Sequence, residues 1–245
     1  MMTAAILAGG LAKRLRPLTE TIPKSLVPVN GEPFVAHQLR LLRTSGFERI
    51  VMCVGHMGEM VRDVVGDGAP FGLQVEYSWD GPVQLGTGGA ITKALPYLGE
   101  EFFVMYGDSY LPCPYQSVEA TFLAARKQGL MTVFRNEGQW DASNVEFRDG
   151  RIAAYDKEHR TPHMHHIDYG LGVFKRSVFA ELPAVSCDLA AIYQGLLAHN
   201  ELAAFEVRER FYEVGSFEGI HTLSSYLIGS PQLKDGVLLD SEPVS

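Results

Sequence analysis

Apolar and polar positions follow two alternating spacings through the first half of the chain. Thr3 to Leu7 is a short apolar run that reads as a buried first strand. Pro33 to Arg43 sets Phe34, His37 and Leu41 at helical intervals and stops near Gly46. Arg49 to Val54 (RIVMCV) predicts a second strand, Gly58 to Val65 a helix, and Leu73 to Tyr77, by alternation, a third strand. Thr87 to Leu95 is expected to be helical and to close before Pro96. Phe102 to Tyr106 is an apolar β-type run, followed at once by Gly107, Asp108 and Ser109. This is a βαβ rhythm, the pattern of a parallel sheet.

The second half changes character. After a helix around Ser117 to Gln128, strand candidates come close together at Leu130 to Phe134, Asn144 to Phe147 and Arg151 to Tyr155. Tyr169 to Phe174 adds another, which predicts an antiparallel or mixed extension of the sheet that builds a second pocket. Leu189 to His199 and Phe217 to Ile228 read as amphipathic helices. Stripes such as Leu39 and Leu42, or Ile192 and Leu196, are expected to be core.

Bulk properties narrow the classes. A length of 245 residues suits one large α/β domain, and 46% hydrophobic with 20% charged residues describes a globular protein. The formal charge of −8 argues against nucleic acid or an anionic membrane as a partner. Cys53, Cys113 and Cys187 are scattered and suggest neither a disulfide framework nor a thiolate metal site. With no signal-peptide pattern and no apolar run of ~18 residues, a cytoplasmic location is expected.

Against that acidic background, the densest basic stretch stands out. Lys13, Arg14, Arg16 and Lys24 follow the glycine pair Gly9-Gly10 directly after the first strand. Cations on a tight loop at a strand's carboxyl end make an anion site, and glycines let backbone N–H groups approach phosphate oxygens. No Gly-Lys-Ser/Thr follows, so this is not a P-loop, and it is not a dinucleotide fingerprint.

The stretch resembles the opening signature of the sugar-1-phosphate nucleotidyltransferases. It supplies Leu7, Ala8, Gly9, Gly10, Arg14, Leu15, Pro17, Leu18, Thr19, Pro23, Lys24, Leu26, Pro28 and Val29 at that family's spacing. It departs at Ala12 and Lys13, where the family usually has Gly-Thr. The resemblance runs from Ala4 to about Leu227. It implies a Rossmann-like three-layer α/β fold with a mixed central sheet, in a single domain over residues 1–230. A nucleotide-binding half would span about 1–112 and a sugar-binding half about 113–230, with a short tail at 231–245.

The reaction so implied is attack of a sugar 1-phosphate on the α-phosphorus of a nucleoside triphosphate, expelling pyrophosphate. The nucleophile is already anionic, so positioning and charge stabilisation, with Mg²⁺, matter more than acid–base chemistry. Asp108 maps onto the family's metal aspartate. Glu213, in Tyr212-Glu213-Val214-Gly215, stands where a second metal Asp is expected. Arg14 maps onto the arginine that grips the triphosphate, and Lys24 onto the lysine between the two phosphates.

On the nucleotide side, Val83 to Ala90 resembles the family's Leu-Gly-Thr-Gly-Gly-Ala stretch, implicating Gly86 and Thr87. Its glycines would allow close backbone approach to the base, a helix N-terminus there would add N–H dipoles, and Gln84 offers an amide to read the base edge. Leu7, Ala8, Gly9, Gly10, Lys13 and Gly107 complete the implied nucleotide site. On the sugar side the resemblance points to Asn144, Lys157, Asp168 and Gly170.

His159, His163, His165 and His166 read as a loop over the sugar pocket rather than a zinc site, since no thiolate or regular helical spacing supports one. The small guanylyltransferases acting on heptose or mannose 1-phosphates give the nearest pattern, in line with GTP and a cell-surface polysaccharide precursor. Uridylyltransferases for N-acetylmuramate 1-phosphate share features such as Lys93-Ala94-Leu95-Pro96. A non-catalytic sensor subunit and a cytidylyltransferase for a non-sugar phosphate are the other readings. The expected partners are the two small-molecule substrates, and the pattern admits a homodimer.

Overall fold

The computed structural model describes residues 1–10, 15, 17–81, 83–180, 182 and 185–229. The chain opens with β1 (Thr3–Leu7), the short pair β2 (Pro28–Val29) and β3 (Glu32–Pro33), and α1 (Phe34–Thr44). β4 (Arg49–Val54), α2 (Gly58–Val65), β5 (Gln74–Trp79), α3 (Gly86–Ala94) and β6 (Glu101–Tyr106) continue the alternation. These elements match the hydrophobic pattern closely. Ala4, Ala5 and Ile6 are wholly buried, because β1 lies between two parallel neighbours and is covered on both faces.

β1 pairs in parallel with β4 on one side and β6 on the other, so that Leu7 lies opposite both Cys53 and Tyr106. β4 in turn carries β5. The chain therefore leaves β1 in one direction and returns to its opposite side for β6. A crevice forms outside the carboxyl ends of the strands where the order reverses.

The second half adds β7 (Ser109–Tyr110), α4 (Tyr115–Ala125), β8 (Gly129–Arg135), β9 (Val145–Arg148), β10 (Arg151–Tyr155) and the long β11 (His166–Lys175). α5 (Ser177–Ala180), α6 (Leu189–Ala198), β12 (Leu202–Val207), β13 (Tyr212–Glu213) and α7 (Phe217–Gly229) complete it. β11 runs antiparallel to β6 and extends the parallel half into one mixed, nine-stranded sheet. β8 pairs antiparallel with β11, and β12 joins β8 in parallel. No strand was expected at β12, whose Leu-Ala-Ala-Phe-Glu-Val lacks the β-branched run that marks β4.

Strand alternation divides the core into two layers. Ile6, Ile50, Met52, Phe103 and Met105 meet α1, α2 and α4 through Leu39, Leu42, Val61 and Phe122. Ala5, Val51, Cys53, Phe102 and Val104 face the other way, onto α3, α5 and α6 through Ile91, Phe179 and Tyr193. A third cluster, with Phe34, Leu41, Val214 and Leu223, seats α7 beside α1 and anchors the chain just after β13. No described helix is long and apolar enough to cross a membrane.

Candidate active site

The crevice at the end of β1 is a cleft of about 280 Å³. Its wall brings together Leu7, Ala8, Gly9, Gly10, Gln84, Gly86, Thr87 and Gly107, with Lys24 and Asp108. Every described residue named from the sequence for the nucleotide side therefore lines one space. Arg14, Lys13 and Arg16 lie outside the described residues.

Gly107 sets the position of Asp108. Its N–H donates to Leu7 O at 3.0 Å, and a Cβ there would stand 2.7 Å from that same oxygen. Only glycine lets the chain leaving β6 press against the end of β1. Buried Gln38 on α1 holds the turn from beneath, its amide donating to Tyr106 O at 3.1 Å and Ser109 O at 2.8 Å. Asp108 is left partly exposed, forming an ion pair with the Lys24 ammonium and accepting from Ser109 Oγ at 3.3 Å.

Glu213 reaches the same corner through the backbone. β13 pairs antiparallel with β7 so that Glu213 lies opposite Ser109, and Val214 N–H donates to Asp108 O at 2.9 Å. Burial, with the charges of Asp168, Asp188, Asp108 and Glu213 adding to it, raises the Tyr106 hydroxyl well above its usual pKa. Two carboxylates on one ribbon are a hard-oxygen donor set that suits magnesium, which commonly takes one or two carboxylates and fills its shell with phosphate and water. Among the described residues no cluster of three or more His, Cys, Asp or Glu side chains forms a complete metal cage.

The residues expected on the sugar side gather on the β11 side of Tyr106. Lys157 Nζ sits 5.5 Å from the Tyr106 ring centre and 3.3 Å from its hydroxyl. Asn144 accepts from Asp168 N–H at 3.0 Å, and Gly170 N–H donates to Asp168 Oδ1 at 3.0 Å. The histidines divide: His166 is no part of a loop but opens β11, buried against Phe147 and 3.1 Å from Glu206. His159, His163 and His165 remain in the preceding loop.

The glycine-rich stretch serves a purpose that its sequence did not reveal. A Cβ on Gly86 would stand 2.5 Å from Cys187 O, on Gly88 2.7 Å from Cys187 Sγ, and on Gly89 2.3 Å from Val185 O. The residues before α6 thus lie directly over the α3 N-terminus. Gly88 N–H donates to Cys187 O at 3.0 Å, so that dipole end is partly capped by protein. Thr87 Oγ1 ties in further, donating to Asp188 Oδ1 at 3.2 Å and accepting from Leu189 N–H at 2.7 Å.

Sequence reasoning passed over Asp80. It follows β5 at the carboxyl end of a parallel strand, lines the cleft, and accepts from Leu85 N–H. Burial raises its pKa against the pull of Lys93 and that hydrogen bond. Its place just past a strand end and before Gly81 was the available signal. Cys53, also in the wall, is a buried thiol pushed up to about 12 and so inert.

A sheet that reverses its winding at a glycine-walled, lysine-bearing crevice defines a doubly wound α/β protein. The Nucleotidyl transferase family matches residues 3–224, and the chain belongs to it. An N-acetylmuramate alpha-1-phosphate uridylyltransferase of Neisseria meningitidis is 42% identical over 108 residues, which is 44% of this chain and 47% of that protein. A D-glycero-alpha-D-manno-heptose 1-phosphate guanylyltransferase of Campylobacter jejuni is 33% identical over 44% of this chain and 48% of its own length. The chain thus aligns with about half the length of these curated relatives. Among solved structures, HddC from Yersinia pseudotuberculosis superposes with a TM-score of 0.79 at 22% identity, covering 93% of this chain and 100% of that one. It shares the fold.

Proposed function

We propose that the protein transfers a nucleotidyl group from a nucleoside triphosphate to a sugar 1-phosphate, releasing pyrophosphate. The observation that carries this reading is the pairing of Lys24 with Asp108 at the mouth of the cleft, with Glu213 on the adjoining ribbon. A phosphate oxygen of the sugar 1-phosphate forms a bond to the α-phosphorus, and the α–β bridging bond breaks. No proton need move, so the residues have to gather and neutralise charge.

Lys24 would serve both phosphates once Asp108 has another cation to hold. Asp108 and Glu213 would hold Mg²⁺, which neutralises phosphate charge in such transfers. Gly9 and Gly10 present backbone to the triphosphate, and Arg14 grips it. Lys157 receives the sugar phosphate.

For the base we favour guanine. Asp80 and Gln84 line the cleft beyond Gly9, and Gln84 Nε2 already donates to Gly9 O at 3.3 Å. A carboxylate accepts from the adjacent N1–H and N2–H of guanine, whereas uracil sets a single N–H between two carbonyls that would face Asp80 unfavourably. The HddC fold was also solved with GMP-PN. Heptose or mannose 1-phosphate is the matching sugar, and the product a cytoplasmic precursor of surface polysaccharide. The second reading is a uridylyltransferase for N-acetylmuramate 1-phosphate, favoured by the 42% identity to the Neisseria protein.

Purified protein offered a matrix of nucleoside triphosphates and sugar 1-phosphates with Mg²⁺ should release pyrophosphate, fastest with GTP. Silence across the matrix with nucleotide binding retained would replace the enzyme with a nucleotide sensor.

A further inference from the structure

We infer that Asp168 makes the sugar site selective for uncharged sugar 1-phosphates and closes it to sugars that carry a carboxylate; this rests on the nucleotidyltransferase reading above. Asp168 sits where β11 breaks its pairing with β8, the register resuming only at Gly172. Its side chain is fixed by neutral groups: Gly170 N–H donates to Oδ1 at 3.0 Å and the Tyr155 hydroxyl to Oδ2 at 3.3 Å. A carboxylate has about four acceptor positions, so roughly half remain for a ligand. Among the described residues Asp168 makes no ion pair with a lysine or arginine, while Lys24 is already committed to Asp108.

Apart from Lys157, the surrounding charge has the same sign. Asp168, Asp188, Asp108 and Glu213 all act on Tyr106, whose ring forms part of the cleft wall. Lys157 Nζ lies 3.3 Å from the Tyr106 hydroxyl and is the cation that acts on Asp168. Asp108 and Glu213 belong to the phosphate end in the reading above and Asp188 caps α6 beside Thr87 on the nucleotide side, which leaves Asp168 for the sugar end. Burial raises the Asp168 carboxyl above its ordinary pKa, and Asp188 adds to this against Lys157 and the two hydrogen bonds.

Sugar hydroxyls have protons to give such a carboxylate. A sugar carboxylate has none, and it brings a like charge into a partly dehydrated pocket where repulsion is stronger than in water. Binding therefore favours a polyol over its acid, a discrimination built from repulsion as much as attraction.

Two pairs of probes isolate the charge. Glucose 1-phosphate and glucuronate 1-phosphate differ only in the oxidation of C6; N-acetylglucosamine and N-acetylmuramate 1-phosphates differ by a lactyl ether. With the best nucleotide, kcat/KM for the neutral member of whichever pair reacts should exceed the acidic one by about tenfold or more. Asp168→Asn keeps the bond from Gly170 N–H, its Nδ2 donates to the Tyr155 hydroxyl in place of the oxygen that accepted from it, and the ratio should move towards one. As a second measurement on the wild-type protein, independent of that variant's folding, the ratio should shrink as NaCl is raised. Equal kcat/KM in the wild type, or a ratio unmoved by both Asp168→Asn and salt, would overturn the inference while leaving the transferase reading intact. No pyrophosphate from any sugar 1-phosphate would overturn both.

Discussion

Lys24 and Asp108 are 84 residues apart in sequence and form an ion pair across the opening of the cleft. Lys24 follows Pro23 in a short 3₁₀ turn, and Asp108 follows the glycine that presses against β1. The ammonium occupies the carboxylate that the proposed mechanism assigns to a divalent ion. Two opposite outcomes are therefore expected from one change. Lys24→Ala should tighten Mn²⁺ binding in the absence of nucleotide, followed by electron paramagnetic resonance, while lowering turnover by about a hundredfold or more. Weaker Mn²⁺ binding in that variant would show that Lys24 does not compete for Asp108.

Asp108→Ala should abolish pyrophosphate release without loss of the fold, since Asp108 is partly exposed and its backbone partner Val214 uses only the carbonyl. Glu213→Asp should retain turnover with an altered Mg²⁺ requirement, and Glu213→Ala should raise the Mg²⁺ concentration for half-maximal rate. Circular dichroism separates these effects from unfolding.

Gln38 is wholly buried and donates to two carbonyls that flank the Asp108 turn. Gln38→Leu removes both donors and strands Tyr106 O and Ser109 O. Unpaired buried acceptors cost about 1–3 kcal/mol each, so thermal melting should fall by several degrees, and kcat should fall with it. A variant with unchanged kcat would detach Gln38 from the positioning of Asp108.

Gly89→Ala places a Cβ 2.3 Å from Val185 O, a backbone atom that cannot swing aside. Overpacking of this kind costs about 1–3 kcal/mol. The melting temperature should drop and KM for the nucleotide should rise, because Gly86 and Thr87 in the same turn line the cleft.

The buried thiol of Cys53 predicts an alkaline limit. Its pKa rises from an ordinary 9.0 to about 12 through burial, with Asp80 adding to the shift. The folded state therefore holds its proton more tightly than the unfolded chain. That contribution is intact below pH 9 and is lost progressively between 9 and 12. Melting temperatures scanned upward from pH 8 should fall less steeply in Cys53→Ala than in the parent. Equal slopes would assign the loss to other groups, such as Tyr110, itself raised to about 12 by burial.

How much was readable beforehand varied with the range of the forces involved. Arg49–Val54 and Gly58–Val65 appear with the predicted ends, because a β-branched run and flanking glycines are local signals. β12 was missed because alanines carry no such mark, and its partner β8 lies some seventy residues earlier. Lys24, Asp108 and the glycine stretch were found through a signature, yet the reason for Gly88 and Gly89 lay about a hundred residues away in Val185 and Cys187. Gln38 and Asp80 were passed over on similar grounds. A polar residue inside an apolar helix stripe, or a carboxylate beyond a strand, acquires meaning only from what the tertiary fold sets against it.

The segment across the α3 N-terminus has an evolutionary corollary. One wall of the cleft is shored up by chain that also begins α6, whose Tyr193 packs on Tyr155 and whose Gln194 donates to Tyr155 O at 3.2 Å. Tyr155 in turn holds Asp168. A graft that transplants a relative's loop at 80–89 to change nucleotide preference must therefore bring 185–188 along with it. Moving either alone would set mismatched surfaces against each other and disturb sugar choice as a side effect, so the two preferences are expected to drift together among descendants of this fold.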